Sequence, residues 1–266
     1  MTKPRKLWGM PSLQATLRHQ AIIDALNARG NVRVGDLADQ LSVSAVTIRA
    51  DLDYLEAQQL LRRTRGGAVP VRPRRFEQPL ELTSQDNAEA KKRIARAAAA
   101  MVRDGETVII DVGSTMTELA NALPRSLSDV VVVTNALNIA LALETHPGVT
   151  VVVTGGTLRP MQHSLVAPYG SLLLGHMNAD VAFVGCNGVH PEKGFTNTNL
   201  AEAEVKHAMI QAASRVIFVC DSSKLMNVAT AKVAALEDAD LLLTDDGAAP
   251  EPLRALRRGG LEVMVV

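Results

Sequence analysis

No apolar run in this chain approaches the ~20 residues that a membrane-spanning helix needs, so no membrane partner is expected. The opening Met1-Thr2-Lys3-Pro4-Arg5-Lys6 is charged but lacks the apolar centre of a signal peptide, and residues 1–11 read as a basic tail. Only two cysteines occur, Cys186 and Cys220, each at the end of an apolar run. Neither has CxxC spacing, which argues against a zinc site or a redox pair. Reduced, buried thiols in a cytoplasmic protein are the simplest expectation. The six histidines (His19, His146, His163, His176, His190 and His207) include no HxxxH pair, so neither a metal nor any other cofactor is expected. Aromatic residues are scarce at 3%, in a composition otherwise ordinary for a globular chain of 266 residues, long enough for two domains.

Net charge is also lacking, but the zero hides an asymmetry. Residues 1–75 hold 13 of the 28 basic and 6 of the 28 acidic residues, a balance of +7, which leaves −7 on the rest. A basic front beside an acidic remainder suggests a polyanion partner for the N-terminal part.

That part carries helical patterning. Leu13, Leu17, Ile22, Ile23 and Leu26 supply an apolar face for a helix over 13–29, stopped by Gly30-Asn31. Val34, Leu37, Ala38 and Leu41 form a second, shorter stripe. After the turn Ser42-Val43-Ser44, a third stripe runs through Ile48, Leu52 and Leu55, with Ser44 as N-cap. Two short helices joined by a tight turn, the second starting with small polar residues, make a helix-turn-helix. Ser44, Ala45, Thr47 and Arg49 sit where a recognition helix would meet double-stranded DNA. Arg62-Arg63-Thr64-Arg65-Gly66-Gly67 then predicts a β-hairpin wing, with Arg62, Arg63 and Arg65 facing phosphates or the minor groove.

Prolines 70, 73 and 79, with arginines between them, predict a linker over 71–85 after a winged module at 12–70. From 86 to 266 the pattern alternates. An alanine-rich helix is expected over Asp86–Arg103. Strands are expected at Thr107–Asp111, Val130–Val133, Thr150–Val153, Val181–Val184, Val216–Cys220, Leu241–Leu243 and Glu262–Val265. Helices are expected between them at Thr115–Leu123, Leu137–Thr145 and Leu200–Ala213. Near-continuous Val/Ile/Leu strands between helices argue for a largely parallel α/β sheet covered on both faces.

The strand ends are the candidate ligand site. Asp111-Val112-Gly113-Ser114-Thr115 closes a strand and opens a helix, where backbone amides favour a phosphate or carboxylate. The plainer alternative is that Gly113 makes the turn and Ser114 caps the helix. Thr134-Asn135, Gly155-Gly156 with Arg159, Gly185-Cys186-Asn187-Gly188 and Asp221-Ser222-Ser223-Lys224 end four further strands. Together they would form one rim, with Arg159, Lys206 and Lys224 supplying positive charge. Glu202 and Lys206, four apart on a helix, are either a surface pair worth about 0.3–0.5 kcal/mol or groups reaching that rim.

The N-terminal run Val43-Ser44-x-x-Thr47-Ile48-Arg49-x-Asp51-Leu52, followed by Arg62-x-x-x-Gly66-Gly67-Ala68, resembles the DeoR family of bacterial transcriptional regulators. Ala50 stands where the family usually has a second arginine, and Gln59 where it usually has glycine. The resemblance continues through Asp111-x-Gly113-Ser114-Thr115, Asp180-x-x-Phe183-x-Gly185, Glu202-x-x-Val205-Lys206 and Asp221-x-Ser223-Lys224. It implies a second domain similar in fold to ribose-5-phosphate isomerase and CoA-transferase subunits, sensing a phosphorylated sugar or related metabolite. By that resemblance Ser114, Thr115, Asn135, Gly156 and Lys224 are effector contacts. A non-enzymatic repressor of carbohydrate metabolism is implied, acting as a homo-oligomer (dimer or tetramer) because one short helix reads few base pairs. The alternative is an isomerase-like or transferase-like enzyme fused to a DNA-binding module. Related isomerases carry acidic residues in the loop that here reads Cys186-Asn187, which leaves Glu202 as the remaining candidate base.

Overall fold

The computed structural model describes residues 13–29, 31–57, 60–70 and 79–266. The basic tail, Gln59 and most of the expected linker lie outside the described residues. The chain divides into two compact units, 1–76 and 77–266.

In the first unit, α1 (Leu13–Arg29), β1 (Val32–Arg33), α2 (Val34–Leu41), α3 (Ala45–Ala57), β2 (Leu61–Thr64) and β3 (Gly67–Pro70) follow in order. Ile22, Leu26, Leu37, Ile48, Leu52, Leu55 and Leu61 close one small core. Leu17, expected on the apolar face of α1, is instead 63% exposed, and Ala25 takes an inward position. The helical period that buries Ile22 and Leu26 turns Leu17 outward. Between α2 and α3, Ser42 adopts the left-handed conformation (φ 53°), and its N–H reaches back to the carbonyls of Ala38 and Asp39. This ends α2 without glycine. Ser44 Oγ accepts the Thr47 N–H at 3.1 Å, capping α3 as the sequence suggests. The wing is a hairpin, β2 antiparallel to β3, and β1 adds a third strand on β3 that sequence patterning missed. Gly67 is required by that pairing, since a Cβ there would lie 1.9 Å from the Val32 carbonyl oxygen.

The second unit begins with α4 (Leu80–Gln85), a helical turn inside the stretch read as linker, and α5 (Ala88–Ala99), shorter than the helix expected over Asp86–Arg103. Asn87, at φ 52°, separates them. Then come β4 (Thr107–Ile110), α6 (Ser114–Ala122), β5 (Val130–Thr134), α7 (Leu137–Leu143) and β6 (Val149–Val153). A hairpin of β7 (Thr157–Arg159) and β8 (Ser164–Val166) leads to α8 (Tyr169–Leu174). The chain continues through β9 (Val181–Val184), β10 (Gly188–His190), β11 (Gly194–Asn197), α9 (Leu200–Gln211) and β12 (Val216–Val219). It ends with β13 (Ala231–Ala234), β14 (Leu241–Thr244), α10 (Pro250–Arg258) and β15 (Val263–Val265).

Seven strands form one parallel sheet in the order β15-β14-β12-β9-β4-β5-β6. One face packs on α5, α6 and α7 around Ile94, Met116, Leu119 and Ile139. The other packs on α8, α9, α10 and the small antiparallel sheet β10-β11-β13 around Phe195, Val205, Met209 and Phe218. The central strands β4, β9, β12 and β14 are covered on both faces and almost wholly apolar, which is why their positions are readable from sequence. The order reverses between β4 and β9: the chain runs outward from β4 to β6, then returns to β9 on the other side of β4. Ligands in open α/β sheets collect at the carboxyl ends of strands at such a reversal.

Candidate functional site

The five strand ends singled out above belong to β12, β9, β4, β5 and β6, which are consecutive in the sheet. The rim therefore forms on one carboxyl edge. Asp111 leaves β4 at the reversal point and is completely buried. Its Oδ2 accepts the Gly185 N–H at 2.9 Å and an ion pair from Lys206 Nζ, which α9 delivers from one face of the sheet. Its Oδ1 is buried with no partner. Burial pushes the Asp111 carboxyl above the usual carboxylate range, while Lys206 and the Gly185 amide pull it back in part.

Asn135, at the end of β5, is 1% exposed. Its Nδ2 donates to the Leu165 carbonyl at 3.2 Å, and its Oδ1 is a second buried acceptor without a donor. Thr134 is buried and accepts the Ala136 N–H at 3.1 Å, a turn role. Gly113 precedes α6 and brings no side-chain cap, so the first-turn amides of Ser114, Thr115 and Met116 have no side-chain acceptor. Thr115 is buried and Ser114 half-buried. Gly155 and Gly156 both have positive φ, and a Cβ on Gly156 would meet the Val166 carbonyl oxygen at 2.3 Å.

Glu202 and Lys206 are not a surface pair. Both are buried, and each has a different partner. Glu202 accepts from Arg159 Nη1, from Ser164 Oγ at 2.8 Å and from Asn197 Nδ2 at 3.2 Å. Helical spacing brings the two side chains to one face, but the hairpin and β4 capture them separately. Arg159 is thus committed to Glu202, and Lys206 to Asp111. Asn187 is exposed, and its Oδ1 accepts the Thr198 N–H at 2.9 Å. At the end of β12, Asp221 accepts from Asn87 Nδ2 at 2.9 Å and from the Ser223 N–H at 3.1 Å. Burial opposes its ionisation, yet Lys224, Ser223 and Lys91 together hold it below the usual carboxylate range. Lys91, which sequence patterning hid within an alanine-rich helix, is 4% exposed and donates to the Thr83 carbonyl. Burial pulls its ammonium below the ordinary lysine range. Ser164, Asn197 and Lys91 carry no local motif, and only the fold brings them to this edge.

The first unit presents a second constellation. Val46, Arg49, Ala50 and Asp53 are exposed along one face of α3, with Val46 at 71%. Thr47 Oγ1 lies 2.9 Å from Ser44 Oγ, and Ala45 is half-buried beside them. On the opposite face, Asp51 receives Arg18 Nε at 2.5 Å and His19 Nε2 at 2.9 Å. Burial disfavours the Asp51 carboxylate, but Arg18 and His19 outweigh it and hold its pKa low. Arg62 and Arg65 project from the wing into solvent. Arg63 turns back instead, donating to Asp53 Oδ1 at 2.5 Å and the Arg49 carbonyl at 3.0 Å. The wing is thereby tied to the outward face of α3, and the acidic charge on that face is paired.

Comparison with known proteins bears on both units. The DeoR-like helix-turn-helix domain matches residues 18–74, and the DeoR C terminal sensor domain matches residues 86–246. The chain belongs to the DeoR family. A protein of Escherichia coli O157:H7 named for transcriptional repression of the aga operon is 35% identical over 94% of this chain and 93% of its own. The HTH-type transcriptional regulator GlpR of Haloferax volcanii is 33% identical over 93% of this chain and 96% of its own. The glycerol-3-phosphate regulon repressor of Escherichia coli K12 is 29% identical over 92% and 95%. These relatives are regulators, and family membership makes this chain a DNA-binding transcriptional regulator rather than the isomerase-like or transferase-like enzyme. A D-ribose-5-phosphate isomerase structure aligns with 52% of this chain and 53% of its own at TM-score 0.39 and 20% identity. Among the described residues no helix is long and apolar enough to cross a membrane.

Proposed function

We propose that the chain is a cytoplasmic repressor that releases operator DNA when a phosphorylated sugar or related metabolite binds the carboxyl edge of the parallel sheet. The observation that carries this reading is the pair of buried, donorless oxygens, Asp111 Oδ1 and Asn135 Oδ1, on neighbouring strand ends beside the open amides of α6. Unsatisfied buried acceptors are costly, about 1–3 kcal/mol each. A polyol offers hydroxyl donors to both, and its phosphate suits the helix N-terminus. Gly113, Ser114, Thr115, Gly155 and Gly156 would line that ligand, and Lys224 would supply charge to it. Arg159, Glu202 and Lys206 would hold the walls rather than reach the ligand, since each is engaged by protein.

On the DNA side, Ser44, Ala45, Thr47 and Arg49 at the start of α3 would face the major groove, and Arg62 and Arg65 the phosphates. Val46 joins them as an apolar contact for a thymine methyl. A homo-oligomer would present two such helices to paired half-sites. Relatives named for the aga operon and the glycerol-3-phosphate regulon support a carbohydrate-related target.

The test has two steps. A panel of sugar phosphates is screened by thermal shift, and each hit is added to the protein bound to a DNA fragment selected from a random library. A ligand at a hundred times its Kd should stabilise the sensor unit by about 2.7 kcal/mol and release the fragment. Stabilisation without release, or turnover of the ligand, would refute the reading. Arg49→Ala should weaken and relax selection of the fragment; unchanged affinity and selectivity would remove α3 from the interface.

A further inference from the structure

The two cysteines, 34 positions apart in the sequence and without a motif, come together in the fold. We propose that Cys186 and Cys220 form a dithiol modification site, closing reversibly to an intramolecular disulfide when a peroxide oxidises them by two electrons. The register of the sheet places them. β9 and β12 are parallel neighbours, with Val184 opposite Phe218 as the last registered pair, and two residues beyond it, just past the two strand ends, stand Cys186 and Cys220. Val184, Phe218 and Cys220 belong to one apolar cluster, and Cys186 packs against it. Neighbouring strands lie about 4.8 Å apart, inside the Cα separation of about 4.4–6.8 Å that a disulfide spans. Beside Cys186 and shielded from water, the Cys220 thiol is held well above its usual pKa.

The flanking backbone is held on both sides. The Gly185 N–H is bound by Asp111 Oδ2, the Asn187 N–H by the Thr196 carbonyl at 2.9 Å, and the Cys220 N–H by the Leu243 carbonyl at 3.1 Å. Exposure is unequal: Cys186 is half-buried, whereas Cys220 is 3% exposed. A small oxidant therefore reaches Cys186 first, and Cys220 waits behind it as the resolving thiol. The Cys186 thiolate attacks a peroxide oxygen, the O–O bond breaks and hydroxide leaves, giving a sulfenic acid. The Cys220 sulfur then displaces the sulfenic hydroxyl, which departs as water with the Cys220 proton. Two thiols lose two electrons, and the peroxide becomes two waters. The new bond would join the ends of β9 and β12 directly beside Asn187 and Asp221, making the candidate ligand edge sensitive to oxidant. Formation of the bond does not depend on the function proposed above, so its test is separate from that one.

Because the chain has no other cysteine, thiol counting reads the pair directly. The full-length protein is treated with hydrogen peroxide, denatured and titrated. Free thiols should fall from two to none per chain with a loss of about 2 Da, no linked chains on a non-reducing gel, and full recovery with dithiothreitol. In Cys220→Ser, dimedone should trap a sulfenic acid on Cys186; in Cys186→Ser, the buried Cys220 should keep its thiol under the same treatment. Two surviving thiols in the parent, a bond between chains, or sulfinic acid on Cys186 beside a free Cys220 would each overturn the proposal.

Discussion

Replacing Lys206 with methionine isolates what holds the centre of the candidate ligand site. The substitution keeps the apolar stem and removes the charge. Asp111 is then left with no exposed surface, one N–H donor from Gly185 and an Oδ1 that already has none. Breaking a buried ion pair by removing one partner costs about 3–5 kcal/mol, because the remaining charge is uncompensated. At roughly 2–4 °C per kcal/mol for a unit of this size, the sensor unit should melt about 6–20 °C below the parent. The variant also makes a prediction about pH. Burial already lifts the Asp111 carboxyl, and Lys206 is the main influence pulling it down, so the variant's folded-state pKa rises further. A carboxyl whose folded pKa lies above its unfolded value binds more protons when folded. Its contribution is therefore complete below the ordinary carboxylate pKa and is lost as pH rises through the folded value. The deficit of Lys206→Met relative to the parent should be smaller at pH 5 than at pH 8. Adding Asp111→Asn should recover much of the loss, since the uncompensated charge is gone. Melts of the parent, Lys206→Met and the double variant at the two pH values measure all of this. A single-variant loss below about 1 kcal/mol, or a deficit that does not change with pH, would refute the buried-pair reasoning.

Further outcomes are expected at Asp51, at the wing arginines and at Gly156. Asp51→Asn strips the carboxylate that anchors α1 to α3, leaving Arg18 and His19 without their acceptor charge, and should destabilise the N-terminal unit by about 3 kcal/mol in urea titrations. Since Asp51 is held below its ordinary pKa, that stabilisation is present above pH 4–5 and fades as the parent is acidified through the folded value, so variant and parent should converge in acid. Arg62→Ala should reduce the slope of log affinity against log salt by about 1, one phosphate contact fewer, whereas Arg63→Ala should weaken DNA binding by unmasking Asp53, and Asp53→Asn should restore part of that loss. An Arg63 variant that Asp53→Asn does not rescue would mean Arg63 meets DNA itself. Gly156→Ala forces a Cβ against the Val166 carbonyl at a positive φ and should cost more than the ~1 kcal/mol of a tolerated glycine replacement, read by thermal melting.

Local pattern alone made legible the helices and wing of the first unit and the seven parallel strands of the second, with the helices α5, α6, α7 and α9. Strands buried on both faces must be apolar along their whole length, so β4, β5, β9, β12 and β14 show as Val/Ile/Leu runs. Ser44 marks the start of α3 because a helix N-terminus needs an acceptor close in the chain. The rim loops were legible for the same local reason: glycine and small polar residues follow each strand. Tertiary structure alone decided which partners the polar residues take. Helical spacing pairs Glu202 with Lys206, but the hairpin β7-β8 offers Arg159 and Ser164 to one and β4 offers Asp111 to the other, across 43 and 95 positions. Arg63 looks like a phosphate contact in the sequence and becomes a brace only when the wing folds against α3. Cys186 and Cys220 follow the same rule. Spacing along the chain says nothing about thiols that meet through strand register, because lateral neighbours in a parallel sheet are separated by a whole crossover.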